Sequence, residues 1–363
     1  MTKIRYIILL VVLFNIIASC GSTGMIVDDD KNIPDTIHVR DTIIENNDTI
    51  VRDTVILGQN SYSNPIIKTS LPDPTVIRTP DKMFYLYATE DIHNLPIYRS
   101  DNFVDWEFVG TAFTNETRPD FLKGGVLWAP NINYINGEYR LYYALARWGE
   151  LNKCGVGVAV ADNPEGPFYD KGKLFISQDI GISNGIDPFF IEDKGKQYLF
   201  VGGLRNLYAL ELSNDGLGIK EGTEPVKIAS TGVEGSFVYR KDGYYYLFCS
   251  KGKCCEGENS TYHIVYGRSK SILGPYQNKS GGNALKSAFE TLLKGDSVVA
   301  GPGHNARFIT DDKGQDWMIY HGYLKSDPHI GRVTFLDPVY WEDGWPYIKN
   351  GSPSMCNFRP TFK

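Results

Sequence analysis

Three carboxylates stand at matching places in a pattern that recurs along the chain: Asp73 before Pro74, Asp187 before Pro188 and Glu234 before Gly235. Ala129, before Pro130, and His304, in Gly301-Pro302-Gly303-His304, hold the same place in two further copies. Two carboxylates flanking a bond are the minimum apparatus for hydrolysing a glycoside: one protonates the leaving oxygen, and the other activates water or attacks directly. A third carboxylate nearby can raise the acid's pKa and fix its orientation. Taken singly, an Asp before Pro is commonly a turn residue, and a Glu-Gly pair is no more specific. The signal is the shared place in the repeat, because crowded carboxylates strain a fold and such strain marks functional sites.

These side chains can meet only if the repeat is a structural unit. Each copy has a small or polar lead, a Pro or Gly, a few apolar residues, a turn rich in Asp, Lys and Gly, and then a dense aromatic strand. Asp73-Pro74-Thr75-Val76 precedes Phe84-Tyr85-Leu86-Tyr87, and Ala129-Pro130-Asn131-Ile132 precedes Tyr139-Arg140-Leu141-Tyr142-Tyr143. Asp187-Pro188-Phe189-Phe190 leads to Tyr198-Leu199-Phe200, and Glu234-Gly235-Ser236-Phe237 to Tyr244-Tyr245-Tyr246-Leu247-Phe248. The last copy joins His304-Asn305-Ala306-Arg307-Phe308 to Trp317-Met318-Ile319-Tyr320. Successive leads are 56, 58, 47 and 70 residues apart. Each interval holds a second apolar alternation as well, such as Gly155-Val156-Gly157-Val158-Ala159-Val160. Four short strands per unit and five units predict an all-β, five-bladed β-propeller over residues 63–363. In that fold the five leads converge at one mouth of a central channel. A pair of β-sandwiches would not explain one motif recurring five times.

Composition agrees. The 363 residues include 23 Tyr, 18 Phe, 6 Trp and 37 Gly, which suits short strands and turns better than helices. With 37 basic and 43 acidic side chains the formal charge is −6, which argues against a nucleic-acid partner. No phosphate-cradling glycine loop, dinucleotide fingerprint or Ser-His-Asp elbow points to another chemistry.

Lys3 and Arg5 precede an apolar stretch over residues 7–17, which reads as a secretory signal too short to span a bilayer. Ile17-Ala18-Ser19-Cys20 resembles a bacterial lipoprotein lipobox, which implies a signal peptide over residues 1–20 and acylation of Cys20. An ordinary signal cut elsewhere nearby is the alternative. The lipid would be the only membrane contact and would hold the protein at the cell envelope, at the outer membrane, the cell surface or in the periplasm. Residues 21–62 repeat Asp-Thr-Ile/Val from Asp35, Asp41, Asp48 and Asp53 without a core-forming period, and read as a flexible tether. A β-rich docking stalk is the alternative, since Thr, Ile and Val favour extended chain. Cys154, Cys249, Cys254, Cys255 and Cys356 remain, an odd number that leaves at least one unpaired. They are expected to be small buried residues, with room for one disulfide.

At the leads the chain resembles glycoside hydrolase family 43, the five-bladed enzymes that cleave arabinan and xylan side chains. The resemblance covers about residues 63–350 and rests on Pro72-Asp73-Pro74-Thr75, Leu127-Trp128-Ala129-Pro130, Gly185-Ile186-Asp187-Pro188, Glu234-Gly235-Ser236-Phe237 and Gly301-Pro302-Gly303-His304. It implies an inverting hydrolase with Asp73 as general base, Glu234 as general acid and Asp187 tuning and orienting the acid. Inversion implies carboxyl groups roughly 6.5–9.5 Å apart, with room for a water. By the same resemblance Trp128 is a sugar platform, Asn131 and Arg332 bind substrate, and His304 lies beside a calcium ion, held directly or through water. His321 is expected to be packed in the fold. The run Cys254-Cys255-Glu256-Gly257-Glu258-Asn259-Ser260-Thr261-Tyr262 resembles the endo-1,5-α-L-arabinanase branch. Gly331-Arg332-Val333 with Asp337-Pro338-Val339 also suits exo-acting α-L-arabinofuranosidases and β-xylosidases, so the substrate is arabinan or an arabino- or xylo-oligosaccharide, met by a monomer. A non-catalytic sugar-binding propeller is the reading from another class.

Overall fold

The structure, a computed structural model, describes residues 36–45, 48–57 and 60–363, with the backbone alone over 36–57. The signal segment and Cys20 lie outside the described residues. The chain divides into two compact units, one of residues 1–63 with 355–359 and one of residues 64–354 with 360–363.

In the first unit the Asp-Thr-Ile/Val repeats lie in a two-stranded hairpin. Strands Thr36–Glu45 and Asp48–Leu57 pair antiparallel in one unbroken register, from Thr36 opposite Leu57 to Glu45 opposite Asp48. That register sets Arg40 opposite Asp53 and Asp41 opposite Arg52. The β-branched residues in alternation over 36–57 are suited to such a pleated ladder. Ser61–Ser63 pairs separately with Cys356–Phe358.

The second unit consists of five antiparallel sheets, each laid down in chain order from the inner strand outward. Blade 1 holds Thr75–Arg78, Phe84–Tyr87, Pro96–Ser100 and Glu107–Thr111; blade 2 holds Val126–Ile135, Glu138–Ala146, Gly155–Ala161 and Tyr169–Ile176. Blade 3 holds Phe189–Asp193, Lys196–Val201, Leu207–Glu211 and Val226–Ala229, and blade 4 holds Val233–Lys241, Tyr244–Lys251, His263–Ser269 and Glu290–Lys294. Blade 5 holds Val299–Gly303, Asp316–Leu324, Val333–Glu342 and Trp345–Tyr347, and Ile309–Thr310 also pairs with its second strand. The tight turns Asn136-Gly137 and Asp242-Gly243 have positive φ at both residues, the twist that two-residue hairpins require.

The aromatic second strands are buried on both faces: all four residues of Phe84–Tyr87 are buried, as are eight of the nine in Glu138–Ala146. This is why the sequence shows dense apolar runs rather than strict alternation. One apolar cluster packs blade 1 against blade 2 through Tyr85, Tyr87, Leu127 and Tyr143. Another joins blades 2 and 3 through Tyr142, Val156, Phe190 and Leu199.

The ring closes by a polar seam. The Asn64 carboxamide donates to the carbonyls of Leu336 and Ser354, both at 2.8 Å, and accepts from Leu336 N–H at 2.9 Å. Beyond it, Ile66 N–H donates to Thr334 O at 2.9 Å and Leu71 N–H to Arg332 O at 2.9 Å. The segment entering blade 1 is thereby stitched along the third strand of blade 5. At the other end, Phe362 packs on Phe84 and Phe103 of blade 1, while Thr361 N–H donates to Asp311 Oδ2 in blade 5.

Candidate active site

All five leads share one backbone feature. Asp73, Ala129, Asp187, Gly235 and His304 have φ between 41° and 57°. For a residue with a side chain this left-handed region costs on the order of 1–3 kcal/mol, and such strain collects at functional sites. In blade 4 the bend falls on Gly235, so Glu234 stands one residue ahead of Asp73 and Asp187, not in register with them. A Cβ at Gly235 would lie 2.9 Å from the His304 ring nitrogen Nδ1, which leaves room for glycine alone. Register shifts follow in the inner strands at Trp128/Asn131, Glu234/Phe237 and Ala300/Gly303. They re-aim the side chains that precede them.

Asp73 lies in a cage of donors drawn from blades 1 and 5. Its Oδ2 accepts from Thr89 Oγ1 at 2.6 Å, and Thr89 in turn accepts from Ala129 N–H at 2.8 Å. Its Oδ1 lies 3.2 Å from Arg332 Nη1 and 3.2 Å from His304 Nδ1. Burial alone would raise this carboxyl, but Arg332 and His304 hold it well below the usual carboxylate range. His304 responds in kind: burial opposes its charge, and Asp73 lifts it to about 8.

Asp187 and Glu234 are pushed the other way. Burial, with Asp73 adding its charge, raises Asp187 to about 6, while His304 and Gly235 N–H, which donates to Asp187 Oδ2 at 3.0 Å, limit the rise. Burial first and then Asp187 raise Glu234 to about 7. Tyr262 Oη donates to Glu234 Oε1 at 2.9 Å. The three carboxyl groups thus lie in one another's field, with His304 common to all three. One is held ionised and another stays protonated to neutral pH.

His321, which no motif marks, also belongs to this site. It is fully buried as expected, but its Nδ1 accepts the backbone N–H of Asp73 at 3.0 Å. That bond assigns the ring proton to Nε2, and burial together with Arg332 keeps the ring neutral. Spacing cannot reveal a contact made to a main-chain atom 248 residues away.

The family model of glycosyl hydrolases family 43 matches residues 62–346. The chain belongs to this family. It is 33% identical over 308 residues to the extracellular exo-α-(1→5)-L-arabinofuranosidase ArbA of Cellvibrio japonicus, covering 76% of this chain and 85% of that protein. It is 32% identical over 292 residues to the extracellular endo-α-(1→5)-L-arabinanase 1 of Bacillus subtilis, covering 76% and 87%. The structure of Cellvibrio cellulosa α-L-arabinanase complexed with arabinohexaose superposes with a TM-score of 0.70 at 31% identity, over 77% of this chain and 95% of that one. This glycoside hydrolase is accordingly all-β and five-bladed, like its family 43 neighbours.

The remaining candidates of the family 43 domain divide. Arg332 is no surface residue: its guanidinium is 15% exposed and bonded to Asp73. Trp128 is half-buried against Ala144, Ala146, Cys154 and Ile186, and meets Trp148 edge to face at 6.1 Å. Trp148 is 77% exposed and was not singled out by any motif, since a lone Trp in a loop carries no spacing signal. Asn131 is a correction. Its Oδ1 accepts from Phe190 N–H at 3.0 Å and Asn133 Nδ2 at 2.8 Å, so the buried carboxamide ties blade 2 to blade 3 and is not offered to substrate. Of the cysteines, Cys154 and Cys249 are buried and free, as expected, and Cys254 and Cys255 form a disulfide with each other; the departure is that Cys255 is exposed.

Calcium takes six to eight oxygen ligands. The Nδ1 of His304 is engaged by Asp73, and among the described residues no three His, Cys, Asp or Glu side chains are arranged to hold a metal ion. Any calcium held beside His304 would therefore draw most of its oxygen ligands from water.

Proposed function

We propose that this chain hydrolyses α-1,5-linked arabinan by endo action with inversion, using Asp73 as general base, Glu234 as general acid and Asp187 to tune the acid. One observation carries the assignment of roles: neighbouring carboxyl groups are pushed apart, Asp73 well below the usual range and Glu234 up to about 7. Such separation is what distinguishes the base from the acid in a two-carboxylate site. Glu234 gives its proton to the glycosidic oxygen as the bond to the anomeric carbon breaks and its electron pair leaves with that oxygen. Water attacks the anomeric carbon from the opposite face, and its proton passes to Asp73. Asp187 raises the acid's pKa by its charge and holds the Gly235 backbone beside it. Trp128 and Trp148 offer flat faces for the C–H surfaces of arabinose rings.

The test is hydrolysis of linear arabinan followed by reducing ends, product lengths and the anomer first released. Oligosaccharides of mixed length released as the inverted anomer support the reading; no release from arabinan, with release from an aryl xyloside, refutes it. Exo action is the second reading, favoured by the similarity to ArbA; it predicts short products of one length from the start.

The envelope location follows the same logic. Lys3, Arg5 and Ile17-Ala18-Ser19-Cys20 support export with a lipid on Cys20, and the relatives named above are described as extracellular. Metabolic labelling with a fatty-acid probe, lost in Cys20→Ala, is the check.

A further inference from the structure

Glu234 has two oxygens, and the structure treats them differently. Oε1 accepts the Tyr262 hydroxyl at 2.9 Å. Tyr262 is 2% exposed, and burial, then Glu234, push its own ionisation far above neutral pH, so it remains a donor. An oxygen already accepting that bond is the poorer place for the carboxyl's proton. Oε2 faces Gly203: a Cβ there would lie 3.2 Å from it.

Both partners are held from behind. The Tyr262 ring lies parallel to His321 at 5.8 Å, and a Cβ at Gly303 would fall 2.1 Å from its Cδ1. The Gly301-Pro302-Gly303 motif thus makes room for this tyrosine. Gly203 is clamped by Asn184, whose carbonyl accepts Gly203 N–H at 3.0 Å and whose Nδ2 donates to Gly203 O at 2.9 Å. Leu204 and Arg205 follow directly, both exposed, and Leu204 O accepts Gly232 N–H at 2.9 Å.

We propose that Tyr262 is a positioning residue that assigns the catalytic proton to Oε2 of Glu234, the oxygen that faces Gly203. The inference rests on Glu234 being the general acid. The proton on Oε2 passes to the glycosidic oxygen, the bond from that oxygen to the anomeric carbon breaks, and Glu234 is left ionised with Tyr262 still donating to Oε1.

The experiment compares linear arabinotriose, whose leaving group needs a proton, with α-L-arabinofuranosyl fluoride, whose single-atom leaving group needs little acid help. Tyr262→Phe is expected to lose about 10-fold in kcat on arabinotriose, the scale of one hydrogen bond to a charged group, with under 2-fold on the fluoride. Its basic pH limb moves upward, because the lost bond favoured the ionised form. Gly203→Ala is expected to lose arabinotriose turnover selectively in the same way. Equal losses on both substrates with an unmoved limb, or no loss, overturn the proposal. Glu234→Gln separates the two layers: if it too shows no preference for the fluoride, the general-acid reading fails; if it does and Tyr262→Phe does not, only this inference fails.

Discussion

The guanidinium of Arg332 lies 3.2 Å from the carboxylate of Asp73, across 259 residues of chain. The two meet because Leu71 N–H is bonded to Arg332 O in the closing seam. Arg332→Ala should raise the Asp73 pKa and move the acidic limb of kcat/KM to higher pH, since the base must be ionised. The wild-type carboxyl is depressed in the fold, so its stabilising contribution is present above the unfolded pKa and is lost as pH falls through the folded one. Removing one partner of a buried ion pair costs about 3–5 kcal/mol, which denaturant unfolding at pH 7 would read.

The basic limb belongs to Glu234, raised to about 7 by burial and Asp187. Activity should therefore fall as pH rises through about 7. Asp187→Asn removes the charge that resists Glu234 ionisation, so its limb should shift toward acid. A pH–rate profile of the two proteins decides; an unmoved limb would remove Asp187 from the tuning role. Because Asp187 and Glu234 titrate as a pair, the limb reports an apparent value of both.

Glu234→Gln should abolish most turnover, by about 10²–10⁴-fold, yet stabilise the fold at pH 8. A folded pKa raised above the unfolded value gives stability that is complete below the unfolded pKa and lost as pH rises through the folded one. At pH 8 the wild-type carboxyl is ionised and buried, and the amide is not. A gain on the order of 1–3 kcal/mol in denaturant unfolding is expected, and a loss would contradict the raised pKa.

Trp148 stands 77% exposed with its edge against Trp128. Trp148→Ala should raise KM for arabinan about 3- to 10-fold with kcat nearly unchanged, the scale of one aromatic contact. A fall in kcat alone would place it outside substrate binding.

The Cys254–Cys255 disulfide lies in the loop that leads to Tyr262, and Ser260 Oγ donates to Lys253 O at 2.7 Å and Cys254 O at 3.2 Å in that loop. Replacing both cysteines by serine should lower kcat several-fold while leaving the far blades' melting unchanged. Steady-state kinetics and thermal unfolding together check this.

The propeller was legible because one motif recurs at each lead, and repetition survives where individual strands are ambiguous. Asp73 and Asp187 were legible for the same reason. The offset of Glu234 was not, since it depends on how closely the Gly235 backbone passes the His304 ring. His321 and Tyr262 act through a main-chain N–H and a single carboxylate oxygen, contacts that no spacing encodes. Asn131 follows Trp128-Ala129-Pro130 like a ligand, but a polar side chain directly after a bulge can face the neighbouring blade instead.

The polar seam also sets an order of events. Asp73 is made early, on the first blade, but Arg332 and His304, which hold its charge, and His321, which holds its backbone N–H, come from the last. A nascent or truncated chain lacking blade 5 carries the nucleophile-activating group without the surroundings that keep it ionised. Hydrolytic competence therefore begins only once blade 5 has closed onto blade 1.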